Sequence, residues 1–250
     1  MISRFRIKLI KILIDLNEYL FFEMRLKKIY RNVKINTVVD VGANKGQTID
    51  FFLKINQKCN IYAFEPNPKL FEYLTRKYKH HKNIRIYNMG ISNEVGSKIF
   101  FENMLDYTSS FEPLNPDSKY LEKKAKVLGL RKEKIIKDKY PVQTITLAEF
   151  FLNNKEIKEI DILKIDTEGH ELNCLIGLFY QGQLPLIHKI QIERHYDDMY
   201  INSNNMKHID LLLSQNNFIE TVAIKHGFGD FEEIIYQNNY EVKYNNTCTQ

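Results

Sequence analysis

Two turns rich in acids and small residues hold the side chains of this chain that could do chemistry. In the first, Thr37-Val38-Val39-Asp40-Val41-Gly42-Ala43-Asn44-Lys45-Gly46-Gln47-Thr48, a β-branched apolar run opens into a small-residue turn and then a helix. Val38, Val39 and Val41 suit a parallel strand covered on both faces, and Gly42 and Gly46 let the backbone turn sharply and approach a ligand. Asp40 is out of place there, because a carboxylate in an apolar strand end is costly unless donors satisfy it. In the second, Asp161-Ile162-Leu163-Lys164-Ile165-Asp166-Thr167-Glu168-Gly169-His170-Glu171, a buried strand ends in Asp166 and a helix begins almost at once. Capping and the positive helix terminus account for one acid at such a place. Asp166, Glu168 and Glu171 together ask for more.

A third acid closes the run Asn60-Ile61-Tyr62-Ala63-Phe64-Glu65-Pro66. Glu65 lies about twenty residues past the glycine turn, where a doubly wound sheet places the carboxylate that holds a ribose diol. The spacing of Gly42 and Gly46 lacks the middle glycine that makes room for a pyrophosphate, and Ala43 and Asn44 would crowd that group. An adenosine cofactor without phosphates fits better, which points to S-adenosylmethionine. The rival reading, an NAD-dependent sugar dehydrogenase, is disfavoured by the same missing glycine.

Strand-like and helix-like segments alternate in the βαβ manner and must position these turns. The pattern predicts strands near 37–41, 60–64, 84–88, 161–165, 187–193, 218–224 and 231–236. Helices are predicted over 46–56, 68–79, 145–153, 169–180 and 205–215. The turn His226-Gly227-Phe228-Gly229-Asp230 makes the last two strands an antiparallel hairpin. The expected fold class is α/β, a doubly wound, Rossmann-like seven-stranded sheet of the class I methyltransferase type with a C-terminal antiparallel hairpin. Between the third strand and the helix at 145 stand a strand pair around Ile99 to Phe101, the polar loop Tyr107-Thr108-Ser109-Ser110 and a lysine-rich stretch from Lys119 to Lys139. That stretch reads either as a lid over an acidic or phosphorylated substrate or, given Glu122, Glu133 and Asp138, as a solvated helix.

A length of 250 residues accommodates one such domain, 35–250, after an N-terminal extension, 1–34. The net charge of +5 comes from Lys and Arg interleaved with acids, a solvated surface that argues against nucleic-acid binding. Cys59, Cys174 and Cys248 lack paired spacing and fit a reducing cytoplasm, with Cys174 a core residue among Leu172, Leu175 and Ile176. In the extension Ile2, Phe5, Leu9, Ile12, Leu13, Leu16, Leu20 and Met24 recur at helical spacing, interrupted by Arg4, Arg6, Lys8, Lys11, Asp15 and Glu18. Those charges leave no bilayer-crossing span and no signal-peptide core. Two readings stand: an amphipathic helix resting on the anionic inner membrane face or a partner, and a helix folded back over the domain.

Taken together the residues resemble the FkbM family of methyltransferases, from about Thr37 to Tyr236. The matching pieces are Asp40-Val41-Gly42-Ala43-Asn44-Lys45-Gly46, Phe64-Glu65-Pro66-Asn67-Pro68, Ser109-Ser110, Thr146-Leu147, Leu163-Lys164-Ile165-Asp166-Thr167-Glu168-Gly169 and Ile192-Glu193. The chain departs at Ala148, where the family pattern carries an acid. The resemblance implies S-adenosylmethionine-dependent O-methylation of a sugar, glycan or secondary-metabolite hydroxyl. Cofactor contacts are expected at Asp40, Gly42, Asn44, Gly46, Thr48, Glu65, Asn67, Gly90, Ser110 and Asp166. Transfer from a sulfonium is an in-line displacement, and the acceptor hydroxyl must lose its proton. His195, directly after a strand and beside Glu193, is the expected general base, supported by Asp166, with His170 and His226 as alternates. An alternative places Mg²⁺ on Asp166 and Glu193 to lower the hydroxyl pKa. The non-enzymatic rival is a cofactor-binding scaffold without turnover.

Overall fold

The computed structural model describes residues 22–180, 184–201, 205–226 and 231–239, together with Ile12. Apart from Ile12, the predicted apolar stripe before Phe22 lies outside these residues, as do the turn at 227–230 and Cys248. Helix α1 (Met24–Tyr30) leads into β1 (Thr37–Val41), α2 (Gln47–Ile55), β2 (Asn60–Phe64), α3 (Pro68–Lys77) and β3 (Ile84–Tyr87). An inserted region follows: β4 (Gly90–Ile91), β5 (Gly96–Asn103), α4 (Lys119–Leu128) and β6 (Ile136–Ile145). The chain then resumes with α5 (Leu147–Asn153), β7 (Glu159–Ile165), α6 (Glu171–Phe179), β8 (Leu186–His195), α7 (Met206–Gln215), β9 (Phe218–Lys225) and β10 (Phe231–Asn238).

The main sheet has seven strands in the order β3-β2-β1-β7-β8-β10-β9. Its ladders are parallel except those of β10, which runs antiparallel to both β8 and β9. From β1 the chain winds outward through β2 and β3, then returns to place β7 on the other side of β1. That reversal opens a crevice at the carboxyl ends of β1 and β7, where ligands bind in open α/β sheets. Val38 and Ile61 face one apolar cluster, with Ile49, Phe52 and Leu74 from α2 and α3. Val39, Val41 and Leu163 face the other, with Phe150, Cys174, Leu175 and Leu213 from α5, α6 and α7. Leu26 and Tyr30 of α1 are buried in the first cluster, so this part of the extension packs on the sheet. Among the described residues no helix is long and apolar enough to cross a membrane.

The inserted region differs from its sequence pattern. It forms a second sheet, β4-β6-β5, in which β5 and β6 pair from Gly96↔Thr144 to Asn103↔Ile136. β6 is largely exposed and carries Lys137, Asp138, Lys139 and Pro141, so it lacks the alternation that marks a half-buried strand. The lysine-rich stretch therefore divides: Lys119–Leu128 is helix, and Lys137 to Lys139 belong to a strand. α4 buries Leu121, Ala125 and Leu128 in a third apolar cluster with Leu105, Ile135, Met199 and Tyr200.

Candidate active site

The glycine turn is shaped by its neighbours in the fold. Gly42, at φ +92°, donates its N–H to the Phe64 carbonyl at 3.0 Å, as does Ala43. A Cβ on Gly42 would collide with the Asp166 carbonyl oxygen, because β7 crosses there and the Asp166 N–H bonds the Val41 carbonyl at 3.0 Å. Gly42→Ala should therefore cost ~1–3 kcal/mol from overpacking, with left-handed strain of similar size added. Urea unfolding would check this, and an unchanged midpoint would contradict it. Gly46, at φ +83°, opens α2, and a Cβ there would meet the Tyr78 hydroxyl, which donates to the Gly46 carbonyl at 2.9 Å and to Asp50 Oδ1 at 2.7 Å.

Glu65 is held from two sides. Its Oε2 accepts the Asn44 N–H at 2.7 Å and its Oε1 accepts the Asn67 N–H at 2.8 Å. Asn44 reaches this position through a left-handed φ of +48°, and its own buried Oδ1 has no hydrogen-bond partner. Burial pushes the Glu65 carboxyl up to about 8 despite the two N–H bonds. Asn67 spends its side-chain oxygen capping α3, accepting from the Lys69 N–H at 3.0 Å.

A cavity of about 570 Å³ starts at this turn and continues along the carboxyl ends of β7 and β8. Of the expected cofactor residues, Gly42, Asn44, Thr48, Glu65, Asn67, Gly90, Ser110 and Asp166 line it. Asp40 and Gly46 do not. Gly46 instead packs on Tyr78, and Asp40 is fully buried behind the turn, with neither carboxylate oxygen hydrogen-bonded. Burial pushes the Asp40 carboxyl up to about 7, opposed by nearby Lys164. Ser110 ties the inserted region to the β7 turn, donating to the Thr167 carbonyl at 3.1 Å and accepting the Glu112 N–H at 3.0 Å.

The three acids at the β7 end separate into three roles. Glu171 Oε1 folds the turn by accepting from the Thr167 N–H, the Thr167 hydroxyl and the Gly169 N–H at 3.0–3.1 Å. Asp166 Oδ2 lies 3.2 Å from the Lys164 ammonium, which also donates to Glu233 Oε1 at 2.9 Å. Burial opposes the Lys164 charge, but Asp166, Glu233 and Glu193 hold it protonated well above the usual range. Glu233 is likewise opposed by burial yet held down at about 2 by Lys164 and His226. Glu168, at φ +56°, turns toward the cavity and accepts the Tyr200 hydroxyl at 3.0 Å.

Glu168 meets Glu193 and His195 from the end of β8. His195 Nε2 is 3.0 Å from Glu193 Oε2, and Nδ1 is 3.7 Å from Asp197 Oδ2. Burial disfavours a charged ring, but Glu193, Asp197 and Glu168 hold the imidazole protonated well above its ordinary range. So held, the ring faces Glu193 and Asp197 as an ion-pair partner. Burial raises Glu193 and Glu168 above the usual carboxylate range.

The alternates fare differently. His170 is buried outside the cavity wall, with Nδ1 2.7 Å from Glu112 Oε1 and Nε2 2.9 Å from Ser92 Oγ, a peg between the inserted region and α6. His226 lines the cavity and stacks on Phe22 with ring centroids 4.2 Å apart. From α4, half-buried Lys124 lies 3.4 Å from Met199 Sδ, and burial lowers its pKa despite Glu168, Asp197 and Glu193. Lys164, Glu233 and Lys124 went unread as site residues. The signal for the first two was a charge at an inward strand position, Lys164 between Leu163 and Ile165 and Glu233 before Ile234.

A family model described as the methyltransferase FkbM domain matches residues 40–220. Methyltransferase 1 of Beauveria bassiana (strain ARSEF 2860) is 24% identical over 152 residues, covering 56% of this chain. The chain spans about 57% of that relative's length. Among solved structures, a SAM-dependent methyltransferase from Aquifex aeolicus is 14% identical, with 92% of this chain and 97% of that one covered at a TM-score of 0.49. A putative caffeoyl-CoA O-methyltransferase from Staphylococcus aureus is 12% identical, with 86% and 82% covered at a TM-score of 0.49.

Proposed function

The chain belongs to the FkbM methyltransferase family, and from that premise we propose that it moves a methyl group from S-adenosylmethionine to a hydroxyl of a small molecule or glycan. One observation carries the reading: a single cavity joins the doubly anchored Glu65 carboxylate to the acid group of Glu168, Glu193 and His195. Glu65 keeps lone pairs for the two hydroxyls of a ribose, and the unpartnered Asn44 Oδ1 offers a further acceptor. Lys45, the cation nearest the turn in sequence, is engaged by Asp106 at 2.8 Å, so a pyrophosphate finds no free lysine there. Those features suit an adenosine cofactor without phosphates. Bound S-adenosylmethionine supplies an electrophilic methyl group, and the residues around it orient the acceptor and take its proton.

The proton is assigned to the carboxylates around His195. The Lys164 ammonium pairs with both Asp166 and Glu233 on that side of the cavity. A carboxylate base works only when deprotonated, and Glu168 and Glu193 hold their protons above the usual 4.5. The rate should therefore fall on acidification with a midpoint above 4.5. A kcat profile against pH checks this, and a flat profile down to that pH would contradict it.

The acceptor test begins with calorimetry of S-adenosylhomocysteine against NAD. Labelled methyl transfer is then screened over nucleotide-activated sugars and oligosaccharides. Tight NAD binding without S-adenosylhomocysteine binding would overturn the reading. Cofactor binding with no transfer to any hydroxylated acceptor would favour a scaffold.

A further inference from the structure

We infer that Glu168, Glu193 and His195 form a binding site for one divalent transition-metal cation of the Mn²⁺ or Zn²⁺ class. One ligand atom from each of the three lies within 4.8 Å of the others, so closing on a single ion with bonds of about 2.0–2.3 Å asks only small side-chain adjustments. His195 Nε2 is buried and makes no hydrogen bond, although Glu193 Oε2 is only 3.0 Å away. The ring thus presents its Nε2 edge to the carboxylates of the group. Imidazole beside two carboxylates suits Mn²⁺, Fe²⁺ or Zn²⁺ better than Mg²⁺, which favours oxygen and water.

The surroundings are those of a supported metal ligand set. Asp197 Oδ2 stands 3.7 Å from His195 Nδ1 on the far side of the ring, the place of the carboxylate that commonly orients a ligating histidine. The Tyr200 hydroxyl, 2.6 Å from the Thr108 carbonyl, also lies 3.0 Å from Glu168 Oε2 and shares its one proton between them. Charge points the same way: Asp166, Glu168, Glu193, Asp197 and Glu233 converge here against the lysines Lys124 and Lys164. All three ligands line the cavity, so an ion held by them is open to it.

A second set, Glu193, His226 and Glu233, meets the same spacing. It is the weaker choice because Glu233 Oε1 already holds the Lys164 ammonium at 2.9 Å. Asp166, expected from sequence as a Mg²⁺ ligand, belongs to neither set, and its Oδ2 faces Lys164. A cation is ligated by a neutral imidazole and by ionised carboxylates, so its binding releases to solvent any proton these groups carry. As a binding site the cluster stands by itself; as a means of ionising the acceptor hydroxyl it rests on the methyl-transfer reading above.

The test uses the purified full chain stripped with EDTA and titrated with Mn²⁺, followed by electron paramagnetic resonance of the free ion. One Mn²⁺ per chain is expected. Glu193→Gln and His195→Gln should each weaken binding by roughly tenfold or more, while thermal unfolding and S-adenosylhomocysteine binding report that the variants are folded. No Mn²⁺ uptake by wild-type protein that still binds S-adenosylhomocysteine would overturn the site, as would equal affinity in both folded variants. Full methyl transfer in EDTA would remove the cation's role and leave the methyl-transfer reading standing. Stoichiometric Mn²⁺ on a chain that methylates no acceptor would do the reverse.

Discussion

Glu193→Gln is expected to lower the rate of methyl transfer by about 10²–10⁴-fold while S-adenosylhomocysteine binds as before. The carboxylate ends the inward face of β8, pairs in register with Glu233 of β10, and lies 3.0 Å from His195 Nε2. The amide keeps the shape and removes the charge. It therefore takes away both a proton acceptor and the anion that holds the His195 ring. The Glu65 anchor is formed by backbone N–H groups of other segments and stays intact. Single-turnover kinetics at saturating cofactor isolates the chemical step. A variant that turns over at the wild-type rate would move deprotonation out of this cluster altogether.

Glu65→Ala is expected to weaken S-adenosylhomocysteine binding by about 1–3 kcal/mol, or roughly 5–150-fold in Kd. The substitution removes the acceptor of the ribose hydroxyls and leaves the Asn44 and Asn67 N–H groups without their partner. Glu65→Gln separates these effects, since it retains one side-chain oxygen. The pH dependence has a definite sign. A bound diol donates to the ionised carboxylate, and burial pushes that group up to about 8, so wild-type affinity should decline as pH falls below about 8. In Glu65→Gln that decline should vanish. Calorimetry across this range decides, and equal affinities for wild type and Glu65→Ala would remove Glu65 from the cofactor site.

The strands of the main sheet were legible because burial on both faces leaves a plain mark, as in Val38 to Val41 and Ile61 to Phe64. β6 left no such mark: it is exposed, charged and interrupted by Pro141. Glu65 could be read from its distance past the glycine turn. The glycines were read as cofactor contacts, but what their missing side chains make room for comes from far along the chain, the Asp166 carbonyl at Gly42 and the Tyr78 hydroxyl at Gly46. His195 was found by its place after a strand and beside Glu193. The charge around its ring was only partly visible: Glu193 and Asp197 are sequence neighbours, but Glu168 comes from the end of a different strand. Lys164 was visible as a charge in an apolar run, but its meaning depended on Glu233, sixty-nine positions away.

The third apolar cluster, built from Leu105, Leu121, Ala125, Leu128, Ile135, Met199 and Tyr200, shares no residue with the two that flank the sheet. It joins the cofactor side through local links such as the Lys45–Asp106 ion pair and the hydroxyl of Ser110 on the Thr167 carbonyl. Drift in α4 and its supports can therefore reshape the wall that Tyr120 and Lys124 present without disturbing the packing beneath Gly42 and Glu65. The molecule thus behaves as a rigid frame set by the sheet, with a separately packed wall fastened to it at a few points, among them Tyr200 against Glu168.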